Sequence, residues 1–374
     1  MRLKALLSAF IMTVAALPAA AGPSVVIDIA TGKVLEHEEA FRRWYPASLT
    51  KLMTAYVTFR AIEAGEIALT SPVRVTRKSA AEPASKMGYP QGAVMTLDNA
   101  LKMMLIKSAN DIATAVGENV GGSEAAFAAR MNAEAARLGM TDSHFVNAHG
   151  LPSEEQYTTA RDLALLVVAL RKEFPQHAGY FAIEGLTTGK AVMRTYNTLI
   201  GRFDGADGMK TGFICASGFN IVGSATRGGR TLAAVVLGAK SSEDRAIEAA
   251  AMLVRGFASK GAEAPTIQAL QPYGSRGVPT DMRDQICTQE AAAGRRGERD
   301  EQGRVIIASP HIHEFEGEPE LIAVGLGNAT GPQPRNMPPD YADVPTPTPR
   351  PDYVAPAKDE TTAGAPVPAP RTVQ

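Results

Sequence analysis

Three short stretches hold side chains that could do nucleophilic chemistry together: Ser48-Leu49-Thr50-Lys51, Ser108-Ala109-Asn110 and Lys210-Thr211-Gly212. A serine hydroxyl is a weak nucleophile until a base takes its proton. Residues three apart on a helix share a face, which puts Lys51 within reach of Ser48. Lysine serves as that base only when its amine is neutral, a condition that burial or a nearby cation creates. Lys210 is the candidate second cation. A serine at a helix N-terminus also offers its own backbone N–H to a developing oxyanion. Ser108 and Asn110 lie two apart, so a loop can turn both into one cleft, the hydroxyl relaying a proton and the amide holding an amide substrate. Lys210, Thr211 and the bare Gly212 suit a strand against which a substrate backbone lies, ending in a carboxylate. Taken singly, the motifs read equally well as an N-cap, a helix break and a turn. In this order and setting they point to one acyl-transfer site.

The elements that must position them are legible as patterns. Ser24 to Ile29, then Ala30-Thr31-Gly32, then Lys33-Val34-Leu35 predict strand, tight turn, strand. Leu52, Met53, Val57 and Ile62 recur at helical spacing from Pro46 to about Ala64, where Gly65 ends the run. Two further helices are predicted over 96–106 and 111–120, with Lys107-Ser108-Ala109-Asn110 between them. Ser123 caps a helix through Leu138, and Thr159 starts another with Asp162 at its third position. Late in the chain, 217–225 and 230–237 read as strands joined by the turn Thr226-Arg227-Gly228-Gly229. A helix follows over 241–257. This order predicts an α+β fold: one mainly antiparallel sheet built from both chain ends, with helices on both faces.

The remaining segments set the address and the boundaries. Arg2 and Lys4 precede an apolar run from Leu6 to Leu17, followed by Ala19-Ala20-Ala21. That pattern predicts a signal peptide over 1–21 and an exported, periplasmic or otherwise extracytoplasmic protein, with no membrane span in the mature chain. The catalytic domain is expected over 22–260 and a small extension over 261–330, with strands at 305–307 and 321–324. Twelve of the 25 prolines fall after residue 330, predicting a Pro-rich tail over 331–374 that buries too little apolar surface to order itself. Export makes a Cys215–Cys287 bridge the favoured reading over two buried thiols. With 38 basic and 39 acidic side chains there is no global field for nucleic acid. No G-x-S-x-G elbow or phosphate loop is present. His311-Ile312-His313 lacks a third ligand, so it reads as a surface pair, and neither metal nor organic cofactor is expected.

At the three motifs the sequence resembles the serine D-alanyl-D-alanine carboxypeptidases, the low-molecular-mass penicillin-binding proteins of the β-lactamase/transpeptidase-like superfamily. The blocks Tyr45 to Thr54, Ser108 to Asp111, Phe145-Val146-Asn147 with His149-Gly150-Leu151, Thr158 to Asp162, Met209 to Phe213, Ser217 to Asn220 and Val236 to Ala239 extend the resemblance across about residues 24–258. It implies Ser48 as acylated nucleophile, Lys51 as its base and Ser108 as the relay to the leaving amine. Asn110 would hold the substrate amide, Lys210 and Thr211 the terminal carboxylate, and the N–H groups of Ser48 and Phe213 the oxyanion. Arg245 would support the carboxylate end. The implied partners are peptidoglycan stem peptides ending in D-Ala-D-Ala, with β-lactams as covalent inhibitors. Two alternatives stay open: a DD-endopeptidase cutting crosslinks and a non-catalytic peptidoglycan-binding protein. A β-lactamase is disfavoured because Glu154, Glu155 and Glu184 lack the E-x-x-L-N setting of its deacylating glutamate. The chain departs from its relatives in having Phe213 where histidine is common. Residues 264–328 are expected to be too short and irregular for a full second β domain, and the last 44 residues too rich in proline for a membrane-anchoring helix.

Overall fold

A computed structural model describes residues 22–294 and 305–338. The predicted signal peptide, and most of the predicted Pro-rich tail, lie outside the described residues.

Along the chain, strands β1 (Ser24–Asp28) and β2 (Val34–Glu38) form a hairpin. A 3-10 turn, Ala47–Leu49, leads into helix α1 (Thr50–Glu63). Then come β3 (Pro72–Arg74), α2 (Arg77–Ala81), β4 (Val94–Thr96), α3 (Leu97–Ile106), α4 (Asn110–Gly121), α5 (Glu124–Arg137) and α6 (Ala160–Glu173). Short strands β5 (Gly185–Thr187) and β6 (Val192–Arg194) precede the long strands β7 (Ala206–Ile214), β8 (Gly218–Arg227) and β9 (Arg230–Ala239). Helix α7 (Ser242–Ala258), two short helices, α8 (Arg283–Ile286) and α9 (Gln289–Gly294), and strand β10 (Leu321–Ala323) complete it.

The main sheet has the order β2-β1-β9-β8-β7 and is antiparallel throughout. The N-terminal hairpin is thus zipped to the late strands, as the pattern predicts. Gly228 and Gly229 both have positive φ, the conformation a tight two-residue hairpin turn needs. In β9, Ala233, Val235 and Leu237 face one core with α1 and α6, while Leu232, Ala234 and Val236 face α7. Burial on both faces explains why this strand is a continuous apolar run rather than an alternating one. Helix α1 is enclosed: every residue except Arg60, Ile62 and Glu63 is buried. A helix buried all round carries little amphipathic signal. The enclosure fixes its N-terminus, and therefore Ser48, at the seam between sheet and helices.

The region after α7 departs from the expected outline. It wraps the body as a strap. Val34 N–H donates to Pro265 O at 2.9 Å and Ile267 N–H to Gly32 O at 2.8 Å. The Tyr273 hydroxyl accepts from Ala40 N at 3.0 Å. Residues 305–307 form no strand, whereas Leu321–Ala323 does, pairing in parallel with β5. The expected free tail does not start at 331: Gly331 N–H donates to Thr70 O, Ser71 Oγ to Pro332 O and Asn336 Nδ2 to Val120 O. Upstream, Gly327 pairs with Val94 at the free edge of β4. The composition argument weighs apolar burial alone. These residues are instead held by hydrogen bonds to Thr70, Ser71 and Val94 around the β3–β4 pair and to Val120 of α4, which composition cannot reveal.

Candidate active site

Ser48 sits in the 3-10 turn just before α1, preceded by Ala47 at φ +48°. A positive φ at alanine is strained, of order 1–3 kcal/mol, and persists only where packing dictates it. Two glycines show what dictates it. A Cβ on Gly150, itself at φ +91°, would lie 1.8 Å from Ala47 O. A Cβ on Gly212 would lie 3.0 Å from both Pro46 O and Ser48 N. Strand β7 and the 145–151 loop therefore clamp the Ser48 turn from two sides, and both contacts depend on a missing side chain.

Lys51 Nζ is fully buried and lies 3.1 Å from Ser48 Oγ, 2.8 Å from Asn110 Oδ1 and 2.7 Å from His149 O. Burial first, and the charge of Lys210 second, hold its amine well below the usual lysine range, against the opposing pull of Asp111 and Glu82. A neutral amine has two N–H donors and one lone pair. Asn110 Oδ1 and His149 O can only accept, so they take the donors, leaving the lone pair for the Ser48 hydroxyl. That is the arrangement a general base requires.

Lys210 Nζ, also buried, donates to Ser108 Oγ at 3.0 Å and to Thr211 O at 2.9 Å. Burial and the neighbouring Arg245 bring its amine down to about 7. Ser108 itself is held at φ +58° between α3 and α4, in the predicted break. Asn110, the first residue of α4, is more committed than the sequence implied. Its Oδ1 serves Lys51 and its Nδ2 donates to Pro83 O at 3.1 Å, leaving one N–H for a substrate. Thr211, Gly212 and Phe213 lie on β7, an edge strand of the main sheet with one side unpaired by other strands. The Phe213 ring is 41% exposed and packs on Phe219 at 4.3 Å. These residues line one cleft of about 740 Å³, of small-ligand size, with Ser48, Ser108, Asn110 and Arg245 also in its wall.

Arg245 lies in the cleft wall, at the end where the resemblance implies support of the carboxylate. Its guanidinium donates to three backbone carbonyls, Gly212 O and Asn220 O at 3.3 Å and Tyr196 O at 3.2 Å. It braces β7 from behind and lends positive charge to Lys210. Cys215 and Cys287 form a disulfide, which fastens the strap beside the cleft rim, where Arg283 joins the lining. Glu154 and Glu155 do not line the cleft. His313 pairs at the surface with Asp204 at 3.2 Å.

Several contributors were missed by the sequence reading. Asn147 Oδ1 accepts from His149 N, Gly150 N and Gln156 Nε2, and Gln156 Oε1 accepts from Val146 N and Asn147 N. This wiring aims the His149 carbonyl at Lys51. Asp111 accepts from Met87 N and Gly88 N, seating the 83–88 loop that carries Ala84 and Ser85 into the cleft. The block Phe145-Val146-Asn147 with His149-Gly150-Leu151 was visible by resemblance, but the Lys51 amine that it serves lies 98 residues away. The His149 ring accepts from Leu151 N at Nδ1, so Nε2 carries the proton toward Glu124 at 3.3 Å and Glu82 at 3.7 Å. Burial would raise the Glu124 carboxyl, but hydrogen bonds from His149 and Lys78 bring it down to about 2. These three side chains are the one grouping of metal-ligand type among the described residues. Lys78 donates to Glu124 Oε2 at 2.5 Å and Thr114 Oγ1 to Glu82 Oε1 at 3.1 Å.

The geometry can be set against known proteins. A family model described as D-alanyl-D-alanine carboxypeptidase matches residues 11–241, more than half of the chain. The chain belongs to this carboxypeptidase family. Among curated members, D-alanyl-D-alanine carboxypeptidase DacC of Escherichia coli is 37% identical over 240 residues, covering 62% of this chain and 60% of that protein. DacF of Bacillus subtilis is 32% identical over 238 residues, covering 63% and 61%. The chain thus spans about 60% of the length of the curated family members it matches. Among solved structures, DacD of Francisella tularensis aligns with TM-score 0.63 and 30% identity, over 67% of this chain and 74% of that one. Penicillin-binding protein D2 of Listeria monocytogenes, in its ampicillin-bound form, aligns with TM-score 0.59 and 29% identity, over 64% and 99%. The α+β fold with its antiparallel sheet is the fold of these penicillin-binding proteins.

Proposed function

We propose that this chain is an exported serine carboxypeptidase that removes the terminal D-Ala from peptidoglycan stem peptides ending in D-Ala-D-Ala. The observation that carries the reading is the buried Lys51 amine, whose two N–H groups are taken by Asn110 Oδ1 and His149 O while Ser48 Oγ lies 3.1 Å away. Family membership and the cleft around these residues support it.

The steps follow from the groups present. Lys51 takes the Ser48 hydroxyl proton as Oγ bonds to the carbonyl carbon of the penultimate D-Ala. The resulting oxyanion is met by the N–H groups of Ser48 and Phe213. The proton moves through Ser108 to the departing nitrogen, the C–N bond breaks, and D-Ala leaves. Lys210 and Thr211 meet the terminal carboxylate, with Arg245 bracing their strand. Water then attacks the ester, giving a proton to Lys51, and Ser48 is restored. A β-lactam presents a carbonyl to the same serine and leaves an ester. With no glutamate of the E-x-x-L-N type in the sequence, that ester should persist. The predicted signal peptide supports action outside the cytoplasm. Among the described residues no helix is long and apolar enough to cross a membrane.

The test is release of D-Ala from a diacyl-D-Ala-D-Ala peptide by wild type and by Ser48→Ala. Intact mass after penicillin exposure is measured in parallel. One adduct mapped to the Ser48 peptide and no release by Ser48→Ala is the expected result. Release by the variant, or an adduct elsewhere, refutes the assignment.

A further inference from the structure

The cleft has a charged end on the side away from the leaving group. The groups assigned above lie in order along β7: Lys210 and Thr211 for the terminal carboxylate, then Phe213 N–H for the reacting carbonyl. Beyond them Ile214 ends the strand, and Cys215 and Ala216 turn toward β8 while still lining the cleft. The acyl part of a bound peptide therefore runs toward that turn. An extended chain advances about 3.3 Å per residue, so the residue before the acyl D-Ala comes beside Cys215 and Ala216. Arg283 stands there, in the cleft wall. It lies past the family-matched residues 11–241 and is supplied by the strap.

The backbone of Arg283 is fixed on both sides. Met282 N–H donates to Ala216 O at 3.0 Å, and the Met282 and Ile286 side chains are buried. Cys287 is bridged to Cys215, with Cα atoms 5.6 Å apart. The Arg283 side chain, by contrast, is 61% exposed. Its Nη1 lies 3.2 Å from Asp281 Oδ2, while Asp281 Oδ1 accepts from Arg283 N–H at 2.9 Å. An exposed pair of this kind is worth little and exchanges readily for a charged ligand. Among the described residues no Asp or Glu lines the cleft, and Arg245 is buried and given over to three backbone carbonyls. Arg283 is thus the exposed cation of the wall, with Asp281 at its side.

We propose that Arg283 and Asp281 form a subsite for the side chain of the residue preceding the acyl D-Ala, and that it selects a diamino diacid, whose side chain ends in a zwitterion. A carboxylate and an ammonium on one carbon match the pair group for group. The planar guanidinium takes the carboxylate through two N–H groups, and Asp281 takes the ammonium. A lysine side chain brings an ammonium alone, which pairs with Asp281 but sets a like charge beside Arg283. The disulfide and the Met282 hydrogen bond hold this pair at the end of the cleft, so the strap contributes to substrate choice as well as to the fold. The inference rests on the acyl-enzyme reading above and names the stem-peptide chemistry that the same serine meets.

The test uses Nα-acyl-X-D-Ala-D-Ala peptides in which X is meso-diaminopimelate, its side-chain carboxamide or L-lysine. The reading is kcat/KM for D-Ala release, taken as a ratio between peptides within each protein, so that a general loss in a variant cancels. Wild type should favour the diaminopimelate peptide over its carboxamide and over lysine by about threefold to fivefold, the scale of one exposed ion pair. Arg283→Ala should bring the carboxylate-to-carboxamide ratio to about one. Arg283→Glu should invert it, because the substrate carboxylate then meets a like charge. A penicilloyl adduct on Ser48 in each variant shows that the site is folded. A wild-type ratio near one, or a preference that survives both substitutions, overturns the subsite. Failure of wild type to release D-Ala from any of the three peptides would instead overturn the parent reading.

Discussion

Lys210, on the edge strand of the sheet, donates to the hydroxyl of Ser108, between two helices, at 3.0 Å. This hydrogen bond crosses the seam between sheet and helices and joins a cation to the proposed proton relay. The same cation helps to keep Lys51 neutral, so the two lysines titrate as a linked pair.

The linkage fixes the sign of the pH dependence. Lys51 must be neutral to act as base, so kcat/KM should climb as pH rises through its lowered pKa. Lys210 must be protonated to pair with the substrate carboxylate, so kcat/KM should fall as pH rises past about 7. The profile for D-Ala-D-Ala peptides is therefore a bell with its basic limb near neutrality. A substrate amidated at its C-terminus should lose the basic limb and keep the acidic one. Lys210→Met removes a charge that depresses Lys51 and should move the acidic limb to higher pH. An acidic limb that stays in place would break the proposed coupling.

Asn147 never touches the cleft, yet it should matter to the base. Its Oδ1 satisfies two backbone N–H groups and Gln156 Nε2. Asn147→Ala leaves these donors buried and unmet, a cost of about 1–3 kcal/mol. The His149 carbonyl loses its aim, and Lys51 gains a freer donor in place of a directed lone pair. We expect penicillin acylation to slow about tenfold, with a lowered thermal midpoint. Asn147→Asp, which keeps the acceptor, should recover most of the rate. Equal rates for the two variants would mean that the loop does not orient Lys51.

How much of this was readable follows from distance along the chain. Ser48 and Lys51 are one helical turn apart, and their pairing needs only helix geometry. The hairpin at Gly228 and Gly229 and the caps at Ser123 and Thr159 are equally local, and they appear where the sequence places them. His149 was out of reach because it contributes a carbonyl, which every residue has. Arg245 was assigned to the carboxylate end by resemblance, and its hold on three backbone carbonyls could not be read from the sequence because every residue has a carbonyl. The segment near 331 was read as free because proline content reports on apolar burial and says nothing of edge pairing.

Gly150 gives a sharp steric test. At φ +91°, with its absent Cβ position 1.8 Å from Ala47 O, it tolerates no side chain without moving the Ser48 turn. Gly150→Ala should lower acylation far more than an alanine added on the solvent side, as at Gly139, which also has positive φ but nothing within 4 Å. The Gly139 variant controls for backbone strain alone. Similar acylation by both variants would remove the clamp on Ser48 from the mechanism.

Cutting the chain after Val324 should cost stability. It removes the bonds that Gly325, Gly327, Gly331, Pro332 and Asn336 make to the body. Each contributes about 0.5–1.5 kcal/mol before ordering costs. We expect the thermal midpoint to fall by a few degrees with little change in D-Ala release, since none of these residues reaches the cleft. An unchanged midpoint would show that the segment rests on the surface without stabilising it.

The Cys215–Cys287 bridge separates stability from chemistry more cleanly. Cys215 follows the end of β7 and lines the cleft, while Cys287 ends α8, which carries the buried Ile286 and the cleft residue Arg283. Met282 N–H donates to Ala216 O at 3.0 Å, so one hydrogen bond backs the covalent tie. Closing a loop with a sequence separation of 72 residues stabilises the folded chain by roughly 4 kcal/mol on the chain-entropy argument. Denatured, non-reduced protein from an oxidising compartment should show no thiol toward a thiol reagent. Cys215→Ala should open the chain around Cys287 to proteases and lower the midpoint. Acylation of Ser48 should change little, because neither sulfur contacts Ser48, Lys51, Ser108 or Lys210. If acylation collapses while digestion near Cys287 is unchanged, the bridge shapes the cleft directly and its role is catalytic positioning rather than anchorage of the strap.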